Sequence, residues 1–114
     1  MTDELVPYIL PQEHGRHSDV RRLSLTDGTG SGLDVEGVPV IAFTASHFTA
    51  TDLYEARHTS DLQPRKETVL SLDHAQRGLG TSACGPDTHP RHRLDARRYR
   101  FSYVLAPRWV RASR

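Results

Sequence analysis

Apolar residues along this chain recur mostly at every second position, and Gly, Asp and Pro break the pattern at short intervals, as in an antiparallel β-protein. Leu5 to Leu10 is a first short strand candidate, closed by Pro11. Val20 to Leu25 is a second, with Leu23 and Leu25 on one face. Asp27-Gly28 offers a turn with positive φ. Leu33 and Val35 then alternate with Asp34 and Glu36, and Gly37 turns the chain into Val38 to Ala45. Val40-Ile41-Ala42-Phe43 is apolar on both faces, which makes this the most buried strand. Pro39 has no N–H and belongs near the strand start or at an edge.

Helical spacing occurs once, over residues 49 to 58. Thr49 can cap it, Asp52 stands three residues on, and Phe48 can staple to Leu53. Beyond Pro64, Thr68 to Asp73 returns to strand with Leu70 and Leu72 facing together. Tyr99, Phe101, Tyr103 and Leu105 form the cleanest alternating face, with Arg100 and Ser102 outward. Residues 76 to 92 are rich in Gly, Ser, Thr, Pro and His and have no period; they read as a long irregular loop, the kind that commonly carries function. Pro107 to Arg114 reads as a basic, solvated tail. The pattern as a whole predicts an all-β, mainly antiparallel fold with one short helix.

Composition narrows this picture. The chain has 114 residues, 36% of them apolar, enough for one domain with a thin core. A net charge of +1 draws it to neither nucleic acid nor anionic membrane. Its single cysteine, Cys84, excludes an internal disulfide. The acidic opening Met1-Thr2-Asp3-Glu4 does not resemble a signal peptide, and no long apolar run follows, so the expected compartment is the cytoplasm.

Candidate chemistry is sparse. Hydrolysis of a glycosidic bond ordinarily needs two carboxyl groups about 5–5.5 Å apart for retention or about 6.5–9.5 Å for inversion. Here the acids are scattered singly through polar faces and turns, so no catalytic pair is expected. Cys84, His89 and His92 share one loop and are zinc-ligand types, with His74, His58 or Asp87 available as a fourth, but their spacing matches no zinc signature. Exposed loop histidines are the simpler reading, and the same holds for His14 and His17. A nucleophilic Cys84 lacks a recognisable base and orienting group. Gly28-Thr29-Gly30-Ser31-Gly32 leads into a strand without the Gly-Lys-Ser/Thr of a phosphate loop, so it is read as a hairpin turn. The arginines between Arg91 and Arg100 are read as a solvated outer face rather than a nucleic-acid footprint.

Several blocks stand in a familiar order. They are Tyr8-Ile9-Leu10-Pro11-Gln12-Glu13-His14-Gly15, Asp19-Val20-Arg21, Gly30-Ser31-Gly32-Leu33, Phe43-Thr44-Ala45-Ser46, and Leu53, Ala56 and His58. The last runs from Leu70-Ser71-Leu72-Asp73-His74-Ala75-Gln76-Arg77-Gly78-Leu79-Gly80 through Thr81-Ser82-Ala83-Cys84-Gly85-Pro86. From about residue 7 to 106 the chain resembles the C-terminal, small-chain domain of glycoside hydrolase family 2 β-galactosidases of the bacterial, lactose-cleaving type.

The resemblance implies a galactose-mutarotase-like β-sandwich, of which residues 1–106 supply roughly a third to a half by ordinary sandwich sizes. Residues 107–114 fall outside it. It implies that the acid/base and nucleophile glutamates lie on a separate (β/α)₈ barrel, so that no glutamate here inherits either role. The parent family's Mg and Na ions likewise belong to the barrel, and no cofactor is expected in this chain. The implied partners are that barrel and, through the complete enzyme, a galactoside. The loop after Gly78-Leu79-Gly80 matches one that reaches toward the sugar pocket. Some family members carry a tryptophan two residues before the loop proline, where this chain has Cys84, with less surface to stack. Ala83, Cys84 and Gly85 are therefore the candidate sugar contacts. The chain departs from the family pattern at Arg22, often Trp, at His14, often Asn, and in the extension Arg108-Trp109-Val110-Arg111. The alternatives are a free-standing carbohydrate-binding β-sandwich module, an inactive gene remnant, and a metal-binding module built on the Cys84 loop.

Overall fold

The computed structural model describes residues 6–110. Leu5, the acidic N-terminus and the last four residues of the expected tail lie outside them. Four strands and one short helix follow in the order β1 (His17–Thr26), β2 (Gly32–Ser46), α1 (Ala50–Glu55), β3 (Val69–Asp73) and β4 (Ser102–Arg108). The strands form one sheet in which β2 pairs with β1, β3 and β4. The mainly antiparallel sheet with one short helix is the fold class that the alternation predicts.

The described residues fall into two compact units. One comprises residues up to Asp19 with Ala42–Leu72, the other Val20–Ile41 with Asp73 onward. Ala42, Phe48, Leu53 and Ala56 are buried in the first, and Leu23, Val35, Ile41 and the polar Thr88 in the second. So short a list for each unit reflects the low apolar content.

In the first unit, α1 forms for the reason its sequence announces. Thr49 is the N-cap, its hydroxyl accepting from the Asp52 N–H (3.1 Å) while the Asp52 carboxylate accepts from the Thr49 N–H (2.8 Å). The helix ends at Glu55, short of the expected residue 58. There the Asp61 carboxylate takes the N–H groups of Arg57 and His58 and draws the chain into a 3₁₀ turn over Thr59–Asp61. The same unit corrects the expectation of a strand ending at Leu10: residues 6–10 form none. Pro7 removes a donor within this run and Pro11 the next one after it, and Ile9 is left 88% exposed.

The second unit is built on β2. The turn expected at Gly37 is not a break between strands, because β2 continues through it to Ser46 and Pro39 stands mid-strand, the Val38–Pro39 peptide being cis. The chain does double closely there. A Cβ on Gly37 would lie 2.7 Å from both the Ile41 nitrogen and the Val40 carbonyl carbon, so only glycine fits. The hairpin joining β1 to β2 is tied by the Asp27 carboxylate, which accepts from the N–H groups of Thr29 (2.8 Å) and Ser31 (3.1 Å). Gly30, at φ 88°, supplies the left-handed residue rather than Gly28. This glycine-rich run is thus the hairpin turn it was expected to be.

Strand β4 pairs antiparallel with the first half of β2, in a register running from Gly32 opposite Arg108 to Val38 opposite Ser102. It starts later than the alternation from Tyr99 indicates and takes in Pro107 and Arg108, read from sequence as tail. Arg108 is held because its guanidinium reaches Asp34 (2.8 Å) on the facing strand, where the Ser24 hydroxyl also donates (2.5 Å). Arg22 pairs with Glu36 beside them (3.0 Å). This polar ladder keeps the Asp34 carboxyl below the usual carboxylate range, chiefly through Ser24 and then Arg108. Opposite β4, Val35 is fully buried, yet Phe101, Tyr103 and Leu105 remain exposed, Leu105 by 51%. His74 stacks on Phe101 (5.5 Å between ring centres) and covers only part of that face.

Candidate functional site

The segment that follows β3 is irregular, as its composition requires, but it is not loose. Thr88 is its anchor, only 1% exposed, with its hydroxyl 2.8 Å from the Gly78 carbonyl and 2.9 Å from that of Gly80. The Gly78 N–H donates to the His92 carbonyl (2.9 Å). Gly78 and Gly80 are required by contact, since a Cβ on Gly78 would meet the His92 Cβ at 2.8 Å and one on Gly80 the Thr88 nitrogen at 2.5 Å. Gly80 also takes φ 119°, a conformation closed to other residues without strain.

Charge closes the same point. The Asp87 carboxylate lies between two guanidinium groups, 2.5 Å from Arg77 and 3.0 Å from Arg93, and also accepts from the Thr88 N–H (2.7 Å). Arg77 donates further to the Gly80 carbonyl (3.2 Å) and Arg93 to the Thr88 carbonyl (2.7 Å). Thr81 and Asp87 form an isolated antiparallel bridge. The Arg77 hydrogen bond, then the Thr88 N–H, hold the Asp87 carboxyl below its ordinary pKa. Residues 81–87 are therefore a small loop pinched shut at its base, with Ser82 at φ 59° helping to turn it.

Ala83, Cys84 and Gly85, the three sugar-contact candidates, stand together at the tip of this loop, all exposed. Cys84 is a free thiol, and nothing lies within 4 Å of where a Gly85 Cβ would sit. The tip thus offers backbone N–H and C=O groups and one thiol, a surface able to hydrogen-bond hydroxyls but without acid or base. His89 and His92 are turned to local partners: His89 Nδ1 accepts from the Arg91 N–H (3.4 Å) and His92 Nε2 from Arg91 Nε (2.8 Å). Among the described residues, no three His, Cys, Asp or Glu side chains converge on a common point. Where carboxyl pKa values are displaced, at Asp27, Asp34, Asp52 and Asp87, they are displaced downward, the opposite of what a general acid needs.

A separate open cleft of about 520 Å³ lies in the first unit, lined by Pro11, Gln12, Glu13, Ala50, Leu53 and Tyr54 among others. Among the described residues, no helix is long and apolar enough to cross a membrane.

Sequence reasoning located the loop and its tip but missed the clamp beneath them. Asp87 was visible only as a possible fourth metal ligand, and Arg93 as one of a run of surface charges. The available signal was Gly78-Leu79-Gly80, two glycines one residue apart, which marks a place where backbone is approached closely.

Comparison with known proteins bears on the whole chain. The family model described as "Beta galactosidase small chain" matches residues 1–105. A β-galactosidase of Staphylococcus xylosus is 32% identical over 105 residues, covering 92% of this chain and 10% of the relative. One from Arthrobacter sp. is 39% identical over 90 residues, covering 75% of this chain and 9% of the relative. One from Kluyveromyces lactis is 34% identical over 100 residues, covering 87% and 10%. The chain therefore spans about a tenth of the length of the relatives it matches. With the family model covering all but its last nine residues, this chain belongs to the β-galactosidase small-chain family.

Proposed function

We propose that this chain is the C-terminal sandwich portion of a β-galactosidase, non-catalytic by itself and acting on terminal β-D-galactosides of the lactose type only with the barrel that carries the catalytic glutamates. The observation that carries this reading is the apolar side of β4 together with Phe101, the residue just before it. Phe101, Tyr103 and Leu105 alternate as the buried face of a strand must, yet all three are exposed. An apolar strand face of this kind belongs against a second sheet, in the aligned packing of a β-sandwich of galactose-mutarotase type. The family match and the tenfold greater length of the relatives supply a source for that second layer. The loop tip, Ala83 to Gly85, is the part directed at the sugar, through hydrogen bonds to its hydroxyls. The Mg and Na ions of the parent family act at the barrel, and a cation requirement belongs to the complete enzyme. Its setting is the cytoplasm, in keeping with a lone exposed thiol.

Hydrolysis of a chromogenic β-galactoside tests this directly. The chain alone is expected to be inactive, and activity is expected when it is mixed with a β-galactosidase truncated at its C-terminal domain. Turnover by the chain alone, or none in the mixture, would overturn the reading.

A further inference from the structure

The clamp under the loop has a role that neither the family nor the tip itself assigns. Asp87 is held by two arginines that approach from opposite ends of the segment, ten residues before it and six after. Both arginines also donate to main-chain carbonyls, of Gly80 and Thr88, the two residues between which the loop leaves and returns. The Thr88 hydroxyl is buried between the Gly78 and Gly80 carbonyls. The Arg77–Asp87 pair and the Thr88 hydroxyl join the outgoing chain to the returning one, the bonds of Arg77 to Gly80 and of Arg93 to Asp87 and Thr88 brace each side within itself, and none reaches the tip, where Ala83, Cys84 and Gly85 stay exposed.

We propose that Asp87 is a positioning residue: clamped by Arg77 and Arg93 over the buried Thr88, it fixes residues 81–86 in one conformation before ligand arrives, so that the tip meets the sugar already ordered. The inference rests on the reading that this tip faces a galactoside. Ordering a loop in advance removes that entropic cost from binding, so the clamp acts on affinity rather than on the bond-breaking step. Carboxylate chemistry fits the task, because a planar anion accepts from two guanidinium groups and a backbone N–H at once, which a neutral amide does less well.

The test uses the reconstituted enzyme, the chain combined with a C-terminally truncated β-galactosidase. Asp87→Ala is expected to raise KM for a chromogenic galactoside about tenfold while kcat changes by less than about twofold. Gly80→Ala, which attacks the same closure through backbone collision rather than charge, is expected to do the same, and Asp87→Glu to restore part of the loss. Ile41→Val, which loosens the second unit's core without touching the loop, is expected to leave KM unchanged. Amide hydrogen exchange of residues 81–86 in the 114-residue chain supplies a readout independent of activity, expected to quicken about tenfold in Asp87→Ala. An Asp87→Ala chain that restores activity with wild-type KM overturns the inference. Failure of the wild-type chain to restore activity overturns instead the reading beneath it, and unchanged exchange in Asp87→Ala then overturns the clamp as well.

Discussion

Single residues in this chain act mainly by tying backbone to backbone. Asp52 caps α1 and also receives a bidentate grip from Arg65, at 2.6 Å and 2.7 Å, which with the Thr49 N–H holds its carboxyl well below the usual range. Asp87 is lowered in the same sense by Arg77 and the Thr88 N–H. In both cases the folded pKa lies below the unfolded value of about 4, so the stability they contribute is present above that pH and is lost as pH falls through the folded values. Protection of the amides of residues 50–56, taken relative to the intrinsic exchange rate at each pH, is expected to fall on acidification below about pH 4, and Asp52→Asn to flatten that dependence. Thr88 makes a different prediction, independent of pH. Thr88→Val removes the hydroxyl that bonds the Gly78 and Gly80 carbonyls and is expected to lower unfolding free energy by about 0.5–1.5 kcal/mol, while Thr88→Ser, which keeps the hydroxyl, loses less. Denaturant unfolding of the two variants separates them.

Among the elements, β2 decides most. It carries Val35 and Ile41, 0% and 1% exposed, and it is the strand with which each of the others pairs. Ile41→Ala is expected to cost about 2–5 kcal/mol, the range for a buried aliphatic truncated to a cavity. Gly37→Ala adds only a methyl group, but it meets main chain at 2.7 Å that cannot rotate away. It is expected to destabilise by more than about 1 kcal/mol, where an exposed Gly→Ala elsewhere in the chain is near neutral or stabilising. Sequence pattern placed the apolar residues of this strand correctly and still divided it in two, because Gly37 and Pro39 are local stop signals. The sheet overrides them: β4 pairs with β2 through Gly37 to Val38, and the strand runs on to Ser46. The capping box of α1 was legible because both its partners lie three residues apart; the helix's early end was not, because Asp61 acts from beyond the helix.

At the scale of the whole molecule, the chain has more apolar strand surface than it covers. Tyr103 and Leu105 are exposed on β4, and on the proposed reading they are the residues on which association with the remainder of a β-galactosidase depends. Replacing both by lysine is expected to abolish restoration of galactosidase activity while leaving the amide protection of β2 and α1 intact, because neither residue is buried within this chain. Retained complementation by that double variant, at wild-type strength, would show that the second layer does not seat there.

Whatever depended on neighbours a few residues apart was settled by the sequence alone. That includes the alternation giving a mainly antiparallel sheet, the Thr49–Asp52 cap, the hairpin turn at Asp27 to Ser31, the position of the long loop, and the blocks that tie the chain to its family. The tertiary structure decided what depended on distant partners. Residues 6–10 stay out of the sheet because Pro7 and the flanking Pro11 withhold donors and no strand pairs with them. Arg108 becomes strand because Gly32 pairs with it and Asp34, far away in sequence, takes its guanidinium. Asp87 becomes the centre of a clamp because folding brings Arg77 and Arg93 to one point. Pairing and burial are relations between segments, and a one-dimensional pattern records only what each segment offers.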